Sequence, residues 1–201
     1  MYTKYEQWLN EAKSEVFKTK EEIQTWLDEM RIKNYTINTD LTVDVNDNVQ
    51  ISRKNLNIIP VQFGNISGYF DCNGNKLTSL QGCPKEVKGH FYCSINDLTS
   101  LKGGPIKVKG NFYCNGNKLA SLEGSPIEVN GHFDCNDNKL ISLKGGPKEV
   151  KGYFACSNNK LTSLESSPKE VKGDFYCGNN STKFTEEDVR EVSNVKDTIV
   201  V

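Results

Sequence analysis

Apolar and polar positions recur along most of this chain with one strict period, the step from Gly68 to Gly89. Gly68, Gly89, Gly110, Gly131, Gly152 and Gly173 each open a G-x-F-x-C unit, with Phe70, Phe91, Phe112, Phe133, Phe154 and Phe175 in register. Cys72, Cys93, Cys114, Cys135, Cys156 and Cys177 follow two places on, and Asn75, Asn96, Asn117, Asn138, Asn159 and Asn180 three places after that. A leucine pair, such as Leu98 and Leu101, comes next; each unit then closes through a proline (Pro84, Pro105, Pro126, Pro147, Pro168) and a valine three residues later. A fixed period of this length marks a solenoid, whose coils bury their apolar sides only against their neighbours. Phe and Cys at i and i+2 share one side, which is strand alternation, so Phe91 and Cys93 face the core while His90, Tyr92 and Ser94 face out. Each coil is expected to give one short strand to a parallel sheet. The Gly- and Pro-containing remainder predicts a return path of turn and polyproline-like backbone.

The unit F-x-C-x-x-N-x-L resembles the L-x-L-x-x-N-x-L of leucine-rich repeats, and L-T-S-L-x-G-x-P-x-x-V resembles the short bacterial variant with proline on its outer side. The likeness runs over about residues 49–180 and six registers. Phe and Cys replace the two strand leucines, and a valine one place earlier stands for the leading leucine. The whole chain also resembles leucine-rich repeat proteins of tailed bacteriophages, including a worn first coil ending in N-L-x-x-I-P. That resemblance implies a leucine-rich repeat solenoid and informs fold more than function.

The flanks divide the chain further. Val49, Ile51, Leu56, Ile59 and Ile66 lie one period before Phe70, Cys72, Leu77, Leu80 and Val87, so residues 35–67 hold degenerate coil, with Ile37, Leu41, Val43 and Val45 supplying one more strand or hairpin. Residues 68–180 are the regular repeats. Residues 1–34 are expected to form a helical cap: Trp8, Leu9, Ala12 and Val16 fit one helix, and Thr19 with Glu22 is a capping box opening a second whose buried side is Ile23, Trp26, Leu27 and Met30. Residues 181–201 form a second cap, with Thr185 and Asp188 bracketing a short helix and Phe184, Val189 and Val192 sealing the last coil. One cooperative domain is expected.

Composition narrows the chemistry. The 201 residues are 36% hydrophobic, without an apolar run near membrane-spanning length, and the start lacks the pattern of a signal peptide. A cytoplasmic chain follows as the expectation, in the host cytoplasm if the chain is phage-encoded. Net charge is −1 with the signs interspersed, so no global field favours nucleic acid or membrane. Six of the seven cysteines fall in one ladder, without C-x-x-C spacing, and are read as reduced packing groups; Cys83 lies outside it and is expected to be the exposed thiol. Asp71-Cys72-Asn73-Gly74-Asn75 imitates the start of a calcium loop, but the twelfth position is Gly82 where a bidentate Glu is needed. The asparagines are better read as bonding backbone groups of the turn and of the next coil. His90 and His132 lie two coils apart, roughly 10 Å, too far to share one metal ion.

No catalytic motif, metal site or cofactor is expected, which leaves the outward side of the strands. There the repeats disagree, and five of the eight tyrosines fall there. Tyr69, Asp71, His90, Tyr92, Tyr113, His132, Asp134, Tyr153, Asp174 and Tyr176 are therefore the candidate partner-binding residues on a concave sheet face, since Tyr supplies large amphipathic contacts. The expected role is non-catalytic binding of a protein partner, a host defence component if the phage resemblance holds. Sequestration of a small ligand or nucleotide and a structural or assembly role are the alternatives.

Overall fold

The computed structural model describes residues 16–201 and shows a β-solenoid whose coils stack in parallel. An eight-stranded, all-parallel sheet runs from Val49–Gln50 through Phe70–Asp71, Phe91–Tyr92, Phe112–Tyr113, Phe133–Asp134, Phe154–Ala155 and Phe175–Tyr176 to Ile199–Val200. Every Phe of this sheet pairs with the Phe one coil away, as in Phe91 with Phe112. Their rings form a ladder through the core, stacked at 5.4 Å between Phe91 and Phe112 and at 5.3 Å between Phe112 and Phe133.

Two expectations are corrected. The return path is not only turn and polyproline: the residues before and at each valine, such as Glu86–Val87 and Lys107–Val108, form a second sheet of nine strands, parallel except at its first pair. Proline does not obstruct it, because Pro84 lies ahead of the two-residue strand and gives no ladder bond within it. Cys83 is not exposed but fully buried. Gly82, at φ +86°, reverses the chain so that the Cys83 amide donates to the Leu80 carbonyl at 3.1 Å, which turns the thiol back inside. The other coils place Gly or Ser there, and a Cβ on Gly104 would come within 2.8 Å of the preceding coil's Leu80.

The glycine that opens each unit answers to close approach. A Cβ at Gly89 would lie 2.7 Å from the Gly68 carbonyl oxygen, so adjacent coils can meet at this corner only without side chains. The asparagine ladder is the polar counterpart of the Phe ladder. Asn117 is buried; its Oδ1 accepts from the Leu98 amide at 3.1 Å, and its Nδ2 donates to the carbonyls of Cys93 and Cys114, both at 3.0 Å. Each asparagine thereby ties its own turn to the coil before it, which satisfies backbone groups that no sheet reaches.

Helix α1, Lys20–Glu29, covers the first coils with Ile23, Trp26 and Leu27 buried. Thr19 Oγ1 accepts from the Glu22 amide and Glu22 from the Thr19 amide, a reciprocal capping box. Trp26 meets Phe63 at 6.3 Å and Phe63 meets Phe70 at 5.2 Å, so α1 joins the aromatic ladder. Tyr35–Ile37 and Thr42–Val45 pair as an antiparallel hairpin. The helix predicted around Trp8 and Leu9 lies outside the described residues. At the other end, α2, Glu186–Val192, also opens on a reciprocal box, between Thr185 and Asp188. It is followed by Asn194–Val195 and Ile199–Val200, which extend the two sheets. Ile199 pairs with Phe175 across a longer step than the regular coils use, a last coil that carries α2 as an insert.

Candidate aromatic face on the eight-stranded sheet

Strand alternation turns Phe and Cys inward and leaves three rows of side chains on the outer side of the eight-stranded sheet. All ten candidate residues lie on this side, and all ten are half-buried. The tyrosines form a band across neighbouring coils. Tyr69 meets Tyr92 edge-on at 6.2 Å, Tyr92 stacks on Tyr113 at 5.3 Å and 9°, and Tyr153 meets Tyr176 edge-on at 5.8 Å. His132 stacks on Tyr153 with ring centres 4.0 Å apart, and Asn111 Nδ2 donates to the Tyr113 hydroxyl at 2.9 Å. Ala155, beside them, is only 2% exposed. Burial, then the Tyr113 hydroxyl, pushes the Tyr153 phenol well above the usual tyrosine range.

The band is built on a structural layer. In the row just after the glycines, side chains accept the backbone N–H of the next coil. Asn48 Oδ1 accepts from Tyr69, His90 Nδ1 from Asn111, Asn111 Oδ1 from His132, and His132 Nδ1 from Tyr153, all at 2.9 to 3.0 Å. Asp174 accepts from the Thr198 amide at 3.0 Å and from the Tyr176 hydroxyl at 2.9 Å, which holds its carboxyl below the usual range. His90, His132 and Asp174 thus spend acceptor atoms on coil stacking, a duty their column position alone did not reveal. Asp71 and Asp134 each close a turn onto the amide two residues on, at 3.0 and 2.9 Å. Burial raises the carboxyl pKa of Asp134, with the Asn136 amide opposing.

The His132 imidazole makes stability depend on pH. Burial first, and the charge of His90 second, hold His132 below its ordinary value of 6.5. The unfolded chain therefore binds the proton more readily, so this contribution is complete above about pH 6.5 and falls as pH drops below it. Urea unfolding is expected to show a lower midpoint at pH 5.5 than at pH 7.5. His132→Asn, which supplies an amide acceptor as Asn111 does, should flatten part of that difference.

Among the described residues, no group of three or more His, Cys, Asp or Glu side chains is placed to hold a metal ion, and no helix is long and apolar enough to cross a membrane. A cleft of about 390 Å³ between the end of α1 and the first coils is lined by Arg31, Lys33, Asn48 and Tyr69 among others. It adjoins the end of the aromatic band and does not lie between the tyrosines and the two histidines. Comparisons with protein families, with curated sequences and with solved structures found no match to this chain.

Proposed function

We propose that this solenoid is a binding module that recognises a protein partner through the outer face of its eight-stranded sheet, without catalysis. One observation carries the reading. Core positions repeat in every coil, whereas the outer rows change from coil to coil and carry two groups of packed tyrosines, Tyr69, Tyr92 and Tyr113 in one and Tyr153 and Tyr176 in the other. Cross-strand ring pairing contributes roughly 0.2 to 1 kcal/mol a pair and accounts for some of this packing. It does not call for tyrosine over phenylalanine, and the Tyr92 hydroxyl has no protein hydrogen-bond partner among the described residues. Aromatic side chains with polar tips are what protein interfaces concentrate.

The finer affiliation is part of the proposal. The F-x-C-x-x-N-x-L unit supports placement near the short bacterial leucine-rich repeats, with the second sheet as a departure. The bacteriophage resemblance points to a host protein as the partner, met in the host cytoplasm.

The test is a pull-down comparing the wild-type chain with the Tyr92→Ala, Tyr113→Ala, Tyr153→Ala variant, after circular dichroism shows the fold retained. At least tenfold lower recovery of a specific partner is expected, since aromatic hot spots cost about 2 kcal/mol or more each. Unchanged recovery would sink the sheet-face assignment. Small-ligand sequestration has less support: His132 and Tyr153 are in ring contact at 4.0 Å, so a ligand would have to displace the stack. Native mass spectrometry of gently purified protein showing a retained ligand would favour that second reading.

A further inference from the structure

The turn that follows each of the first seven strands of the aromatic face places one residue in the left-handed backbone region. Its occupants are Arg53, Gly74, Ile95, Gly116, Asp137, Asn158 and Asn179, with φ between 54° and 66°. Glycine, asparagine and aspartate suit that conformation; a β-branched side chain is strained in it. Ile95 adopts it at φ +54° and gains almost nothing from the core, being 64% exposed. Its neighbours along the row are glycines, and a Cβ built on Gly116 would come within 3.5 Å of Ile95 Cγ1. The two adjacent coils thus leave the isoleucine standing clear, three residues beyond Tyr92. Strain without a folding return is a mark of function when the residue is also presented to solvent on a rigid support.

We infer that Ile95 is the apolar anchor of the proposed interface, inserting into a hydrophobic pocket of a protein partner whose rim carries Lys or Arg. The inference rests on the sheet-face reading and adds a contact residue and the partner's chemistry to it. The charge of the rim follows from the rows beside Ile95. Asp71, Asp134 and Asp174 are the acidic side chains of the outer face, which has no Lys or Arg in its three rows. One oxygen each of Asp71 and Asp134 takes a turn amide, and the other has no hydrogen-bond donor among the described residues. These two carboxylates bracket the Tyr92–Tyr113 stack at three coil steps, about 14 Å. Lysines border the face, including Lys76 and Lys118, and Lys118 is paired with Asp97 at 2.6 Å. A polyanion would use those margins and would have no need of Ile95.

Four proteins are compared in pull-downs from lysate of the cells that naturally contain the chain, with quantitative mass spectrometry: wild type, Ile95→Asn, Ile141→Asn and the triple tyrosine variant. A short oligothymidylate is titrated in parallel. Ile95→Asn should raise the melting temperature by about 2 to 4 °C, because it relieves left-handed strain. It should also lower recovery of the partner at least tenfold. Ile141, 62% exposed and outside the outer rows of the sheet, should be replaceable without effect on recovery. Opposite signs for stability and binding separate an anchor from a folding defect. A partner kept by Ile95→Asn but lost by the tyrosine variant overturns the anchor and leaves the sheet-face reading standing. A partner kept by both, or none captured by wild type, overturns both. Oligothymidylate binding that Ile95→Asn leaves unchanged, with no protein lost on substitution, replaces the protein partner with a polyanion.

Discussion

Asn117→Ala is expected to destabilise the chain by about 3 to 5 kcal/mol, close to the largest effect any single polar side chain here can have. The amide of Leu98 would lose its acceptor inside the core, which costs about 1 to 3 kcal/mol. The carbonyls of Cys93 and Cys114 would each lose one donor at about 1 kcal/mol each, although Asn96 and Asn138 still reach them at 3.2 and 3.1 Å. The melting temperature should fall by about 10 °C in a thermal scan. Asn180, at the end of the ladder and only part-buried, should cost visibly less on the same substitution. Equal losses at the two sites would mean that the ladder does not act through burial.

Phe112→Ala should cost a similar amount, about 3 to 5 kcal/mol, by removing an aromatic ring from a fully buried site. Phe112 stacks on both neighbours, so its loss opens a gap between the two halves of the array. In a solenoid, stability is approximately a sum of coil and nearest-neighbour terms, and a central lesion removes two of those terms. Urea unfolding followed by far-ultraviolet circular dichroism should show a lower midpoint for Phe112→Ala than for Phe175→Ala. Phe175 is tilted by 48° against Phe154 and pairs on its other side with Ile199. The opposite ranking would contradict a stack that carries cooperativity through its middle.

The parts of the fold legible in the sequence are those with one identity per register. Phe, Cys, Asn and the leucine pair recur once per coil because each occupies an equivalent place in every coil, and their burial follows from strand alternation. The capping box at Thr19 and the helix bracketed by Thr185 and Asp188 were legible for a similar reason, since the residue types at N-cap and N3 are dictated by two backbone amides. The nine-stranded sheet was not, because Glu-Val is too short to display alternation beside a proline. The last coil was hidden by the insertion of α2, which lengthens the step and breaks the period while keeping the pairing of Phe175 with Ile199.

The candidate site divides in the same way. That the ten residues share one side of the sheet followed from period two. What each does there depends on directions that a period does not encode. His90 and His132 turn Nδ1 toward the next coil's amide, and Cys83 is turned inward by a reversed glycine. Ile95 escaped notice because a row of Arg, Gly, Ile, Gly, Asp, Asn and Asn looks merely variable until the backbone shows that every member shares a left-handed φ.

Hydroxyl-radical footprinting of the chain with and without its captured partner tests most directly whether the outer face of the eight-stranded sheet is the recognition surface. Tyr92, Tyr113 and Ile95 should lose reactivity on binding, while Ile106, Ile127 and Ile141, exposed elsewhere on the solenoid, should keep theirs. Protection of Ile106 and Ile127 with Tyr92 and Tyr113 unchanged would contradict it.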